Sequence, residues 1–71
     1  MELSEKVKEL VAVGASITAN CQPCLRHHVE KALGLGAEPK EVQAAIEVGK
    51  RVRKGASAKM DDVLSELEVK S

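Results

Sequence analysis

The sequence predicts an all-α fold. Three observations carry that reading. Ala, Leu, Glu, Lys and Val dominate the composition, all but valine being strong helix formers. Apolar residues recur at steps of three and four, the period of a helix face. No segment shows the strict apolar–polar alternation of a half-buried strand.

The elements follow from the pattern. Leu3, Val7, Leu10, Val11, Gly14 and Ile17 form one apolar face, which predicts a first helix over about residues 3–19. The chain then restarts at Asn20 or Cys21. Pro23 falls in the first turn of a second helix, where its missing N–H would have no partner in any case. That helix runs to about Leu33 and ends at Gly34-Leu35-Gly36, because glycine adopts a left-handed conformation at little cost. Pro39 opens a third helix with Val42, Ala45, Ile46, Gly49 and Val52 as its apolar stripe. Glu41 stands where a capping-box glutamate belongs, although Glu38 is a poor N-cap residue. Gly55 is expected to end this helix. Ser57 would cap a fourth, with Asp61 and Asp62 in its early turns and Met60, Val63, Leu64 and Leu67 on its apolar face. One long helix through Gly55 is the alternative, at a cost of about 1 kcal/mol.

Length and composition set further bounds. With 71 residues, one domain spanning 1–71 is expected. There is no Phe, Trp or Tyr, so the core lacks the side chains with the largest burial terms. A chain so short and so built is marginal alone, which points to a homo-oligomer. Eleven Lys and Arg balance eleven Asp and Glu. That neutrality argues against nucleic acid or an anionic membrane as partner. Met1-Glu2-Leu3-Ser4-Glu5-Lys6 does not have the form of a signal peptide, and no run of apolar residues is long enough to span a membrane. A soluble, cytoplasmic protein is expected. In that reducing compartment a CxxC pair is more often catalytic or metal-binding than structural.

Cys21-Gln22-Pro23-Cys24 is such a pair, and His28 lies one turn further on. On a helical wheel the two cysteines and His28 share one side, flanked by Leu25, Val29 and Ala32, whereas His27 falls toward solvent. Cysteines three apart at a helix start can close a disulfide without disturbing the turns that follow. The unpaired N–H groups and positive dipole end there stabilise a thiolate, the reactive form. A histidine one turn away can carry a proton to or from the sulfur. Two other accounts stand beside this one. The cysteines are also compatible with small core residues, and His28 with a satisfied buried histidine. Cys21, Cys24, His27 and His28 could alternatively ligate zinc. Such sites usually draw ligands from two segments, however, and adjacent histidines diverge by about 100°.

Around these residues the sequence resembles the alkylhydroperoxidase D-like part of the carboxymuconolactone decarboxylase family. The redox branch carries a glutamate, eleven residues, then C-x-x-C-x-x-x-H, and Glu9, Cys21, Cys24 and His28 fit that spacing. Val29 to Ala37 is similar to the helix and Ala/Gly-rich turn that follow, and Glu41-Val42 to the start of the next helix. The likeness covers about residues 3–55. It implies a helical fold assembled as dimers, trimers or hexamers of intertwined subunits. It also implies peroxide or disulfide reduction without a bound cofactor or metal. Cys24 would attack, Cys21 would resolve, and His28 and Glu9 would form a proton relay. Electrons would come from a lipoyl-bearing or thioredoxin-like partner. A histidine often found between the family's cysteines is Pro23 here. The cysteine pair argues against lactone decarboxylation, whose branch lacks it.

Glu9 has a plainer explanation as a solvated glutamate at the border of the first helix's apolar face. Lys50-Arg51-Val52-Arg53-Lys54 is a basic run that would complement the dipole at a helix C-terminus and otherwise face solvent. The sequence thus predicts a thiol-dependent peroxidase or disulfide reductase with Cys21, Cys24, His28 and Glu9 as catalytic residues. The competing possibility is a non-enzymatic helical oligomer that binds a metal or small ligand at the same cluster.

Overall fold

The computed structural model describes residues 2–67. Of the expected domain 1–71, Met1 and residues 68–71 lie outside the described part. The described residues form three α-helices and no strand: α1 Glu5–Thr18, α2 Gln22–Gly34 and α3 Pro39–Glu66. The all-α expectation holds, but the count of about four does not, because the expected third and fourth helices are one.

Each boundary has a local cause. The Ser4 hydroxyl accepts a hydrogen bond from the Val7 N–H at 3.1 Å and caps α1. α1 stops in a Schellman motif. The Asn20 N–H bonds to the Ile17 carbonyl at 3.1 Å, and the Cys21 N–H to that of Ser16 at 3.0 Å. Asn20 adopts the left-handed conformation this motif needs (φ 55°), which asparagine tolerates better than most side chains. The same device ends α2. Gly36 has φ 95°, and the Ala37 N–H bonds to the Ala32 carbonyl at 3.0 Å. Pro39 starts α3, and the Glu41 carboxylate accepts the Glu38 N–H at 2.9 Å. Glu41 therefore fills the capping-box position expected of it.

α3 continues through Gly55 for 28 residues, about 42 Å at 1.5 Å per residue. One interior glycine costs about 1 kcal/mol, too little to break a helix whose neighbours all favour it. Ser57 is consequently an interior residue, not a cap. The basic run Lys50–Lys54 lies in mid-helix and complements no C-terminal dipole.

α1 is the central helix. α2 packs on one side of it and the first half of α3 on another, while α2 and α3 scarcely touch. Val13, Ala32, Ala37 and Val42 are the buried core, with Leu10, Leu25, Val29, Ala45 and Ile46 packed around them. Gly14 and Gly49 mark the closest approach of α1 and α3. A Cβ at Gly49 would meet the Gly14 carbonyl and lie 2.9 Å from the Ile17 Cβ. The Thr18 hydroxyl lies 3.2 Å from both the Gly14 and the Gly49 carbonyl oxygens and bridges the two helices. The Lys6–Glu41 ion pair, 3.3 Å, closes the other end of the crossing.

The expected apolar face of α1 is split. Leu10, Gly14 and Ile17 face the protein, whereas Leu3, Val7 and Val11 are exposed. The inner face toward α2 instead carries Glu9, Val13 and Ser16. Residues 50–67 are exposed throughout, and the molecule measures 49 × 27 × 18 Å as a result.

Candidate functional site

Cys21 serves two helices. Its N–H completes the stop of α1, and its side chain caps α2 by accepting the Cys24 N–H at 3.3 Å. The sequence therefore delivers a sulfur to a helix N-terminus through the Asn20 reversal rather than through a loop. Pro23 occupies the first turn, where it removes no helical hydrogen bond. Cys21 and Cys24 are joined as a disulfide with a Cα–Cα separation of 5.3 Å. Both residues are half-buried, so the pair lies at the rim of the helix packing rather than inside it.

Glu9 and His28 meet across the α1–α2 interface. The Glu9 carboxylate oxygen is 2.6 Å from His28 Nδ1, although the two residues are 19 positions apart. Glu9 is 8% exposed, which excludes the solvated glutamate considered from the sequence. The hydrogen bond from His28 holds its carboxyl below the ordinary range; burial opposes this, and the charges of His28, Lys31 and His27 add to it. An ionised carboxylate can only accept, so Nδ1 of His28 carries the proton that faces it. In a neutral ring the basic lone pair is then on Nε2. His28 follows Cys24 by one helical turn on the same element. His27 is exposed, with its ring edge-on to that of His28 at a centroid distance of 4.9 Å.

The structure thus brings Cys21 and Cys24 together, and Glu9 and His28 together, all at the α1–α2 junction. Among the described residues no group of three or more His, Cys, Asp or Glu is placed to hold a metal ion. Every buried side-chain nitrogen or oxygen among them has a partner.

Beside Cys21 is an open cavity of about 200 Å³, lined by Ser16, Ile17, Asn20, Cys21, Gln22, Leu25 and Arg53. Of these only Cys21 was singled out for the site from the sequence. Arg53 is the unexpected member. It arrives from α3, 32 positions after Cys21, and donates from Nη1 to the Asn20 side-chain oxygen at 3.1 Å. Its one advance signal was the basic run in which it sits. No helix among the described residues is long and apolar enough to cross a membrane.

In comparison with known protein families, residues 1–65 match the family described as the carboxymuconolactone decarboxylase family. No curated protein and no solved structure matches the chain.

Proposed function

The chain belongs to the carboxymuconolactone decarboxylase family, and from that membership and its cysteine pair we propose that it is a thiol-dependent oxidoreductase that reduces peroxides or disulfides. The observation that carries the proposal is the Cys21–Cys24 disulfide at the start of α2, with the Glu9–His28 hydrogen bond one helical turn further along it.

The chemistry closes with these groups and a dithiol reductant. In the reduced protein one thiolate attacks an oxygen of a hydroperoxide, and the O–O bond breaks. The sulfur becomes a sulfenic acid, and the departing alkoxide takes a proton to leave as the alcohol. The second thiol displaces hydroxide from the sulfenic sulfur, forming the Cys21–Cys24 bond and releasing water. An external dithiol then exchanges with that bond, becoming a disulfide and restoring both thiols. With a disulfide as substrate, the reduced pair exchanges directly and releases two thiols.

His28 and Glu9 supply the proton movements. Nε2 of the neutral ring accepts the proton of the attacking thiol and returns it to the leaving oxygen. Glu9 fixes the tautomer and stabilises the imidazolium while it exists. The dipole end of α2 favours the thiolate. A lipoyl-bearing or thioredoxin-like protein suits the donor's role, since either presents a dithiol. A homo-oligomer in the cytoplasm is the proposed setting. The exposed stripe Met60, Val63, Leu64 and Leu67 supports self-association.

The test is hydroperoxide consumption with a dithiol donor by wild type, Cys21→Ser, Cys24→Ser and Glu9→Gln. Both serine variants should lose turnover to background. Glu9→Gln should retain the fold and lose roughly tenfold to a hundredfold in rate, the lower part of the range for a positioned proton-transfer group. Wild-type rates no higher than those of both serine variants, with peroxides and with small disulfides alike, would sink the proposal.

A further inference from the structure

The basic run of α3 has no role in the chemistry above, and its mid-helix position removes the dipole explanation. One member, Arg53, lines the cavity that Cys21 also lines. The geometry points to Arg53 as an anion anchor and to Cys21 as the sulfur that an incoming substrate reaches. The inferred substrate class, resting on the proposed oxidoreductase activity, is an organic hydroperoxide or disulfide bearing a carboxylate.

Four observations support this assignment. First, Cys21 lines the cavity and Cys24 does not, so a molecule seated there lies beside the first cysteine of the pair. On this assignment Cys21 is the attacking sulfur, the reverse of the order that the family resemblance implied. Second, among the described residues no carboxylate pairs with Arg53. Its recorded partner is the neutral Asn20 side-chain oxygen, which occupies one of the five guanidinium N–H groups. The remaining donors form a planar fork suited to a carboxylate. Third, the guanidinium is held. Asn20 is fixed by the Schellman stop of α1, and it ties Arg53 to the same turn that positions Cys21. Fourth, the same cavity is lined by Ile17 and Leu25, with Ser16 as a small polar neighbour. The Ser16 hydroxyl is engaged with the Ala12 carbonyl at 2.7 Å and leaves this wall mostly apolar. A substrate with a charged end, a short apolar body and a reactive bond matches that set of surfaces. Lys50 and Arg51 on the same helix add a positive field that draws anions toward it.

The experiment compares alkylation of the freshly reduced protein by iodoacetate and by iodoacetamide, followed at Cys21 by peptide mass spectrometry. Both reagents form the same S–CH2 bond with loss of iodide; iodoacetate carries a carboxylate where iodoacetamide carries a neutral amide. The iodoacetate-to-iodoacetamide rate ratio at Cys21 should fall roughly threefold to fivefold in Arg53→Gln, as expected for loss of an exposed ion pair. Arg53→Lys should restore part of it, and Lys54→Gln should leave it near wild type. Circular dichroism checks that each variant is folded. An unchanged ratio in Arg53→Gln, or an equal fall in Lys54→Gln, overturns the anchor. A parallel arm measures turnover of a carboxylate-bearing aryl hydroperoxide against neutral cumene hydroperoxide. There Arg53→Gln should raise KM for the acid alone, and an equal rise for both substrates counts against the anchor. If neither peroxide is turned over while the alkylation ratio still depends on Arg53, the anchor stands and the peroxidase chemistry falls.

Discussion

The two halves of α3 lie in opposite circumstances. From Pro39 to Gly49 the helix lies against α1 and contributes Val42, Ala45 and Ile46 to the core. From Lys50 to Glu66 every residue is exposed, although Val52, Met60, Val63 and Leu64 are as apolar as the residues packed in the first half. Glycine makes the contrast sharpest. Gly49 sits where any side chain would strike α1, whereas Gly55 has nothing within 4 Å of its would-be Cβ. The same residue type is thus a packing requirement in one half and a mere weakness in the other. Local helix propensity cannot hold a bare half-helix straight in water without help, since isolated helices of this length are marginal. The second half presents exposed apolar side chains, and the apolar groove of about 460 Å³ along Val7, Val11, Val48 and Val52 lies beside its start. A second copy of the chain is the partner proposed, because it would bring an identical stripe.

The largest expected effect breaks the comparison at the bare half. Leu64→Glu should convert the oligomer to monomer in light scattering, with cooperative unfolding shifted to lower temperature. A wild type already monomeric at micromolar concentration would remove self-association from the account. Gly49→Ala comes next. The added methyl gains about 1 kcal/mol of helix propensity, but overpacking against the α1 backbone costs about 1–3 kcal/mol. A net loss seen as an earlier denaturation midpoint is expected, and a gain would show that the crossing yields freely. Gly55→Ala should stabilise by up to about 1 kcal/mol, the propensity term with no clash to oppose it. Loss of stability there would mean that the bare half is in contact after all.

The smallest effect belongs to the α1–α2 side. The folded state lowers the Glu9 carboxyl below its unfolded value. The ionised form is therefore favoured by folding, and that contribution is fully present above the unfolded carboxylate range. It is lost as pH falls through the lowered folded value. The Glu41 carboxyl, lowered by the Glu38 N–H and by Lys6, behaves in the same sense. Glu9→Gln should flatten the acid limb of a stability–pH curve, and an unchanged limb would assign it to Glu41 and other carboxyls.

The fold was legible where local chemistry and packing agreed. Gly36 and Pro39 bound their helices because a left-handed turn and a first-turn proline each have one economical place, whereas the Ser4 cap was missed and the first helix was expected from about residue 3. It was not legible at Gly55 and Ser57. A break there needs more than a glycine and a good cap residue when the flanking turns are Ala, Lys and Arg on one side and Met, Val and Leu on the other. The split face of α1 was also hidden. Apolar periodicity predicts which residues avoid water, but not whether the surface that covers them lies on the same chain. Val7 and Val11 wait on that question, while Glu9 and Ser16 are buried through hydrogen bonds that periodicity does not count. Within the candidate site, the cysteine spacing and the interval to Glu9 were readable along the chain. Arg53 was not, because it arrives across space from a helix whose course the sequence left open.

The hydrogen bond from the Cys24 amide to the Cys21 sulfur has a practical side. With no Trp, Tyr or Phe, this protein offers almost no near-ultraviolet absorbance or fluorescence through which its oxidation state could be watched. That amide proton points at the atom that changes partner. Its nuclear magnetic resonance frequency and its exchange rate with solvent should differ between dithiol and disulfide. One backbone signal at the head of α2 would then serve as a native gauge of redox state in unlabelled cysteines, legible during turnover and without a dye.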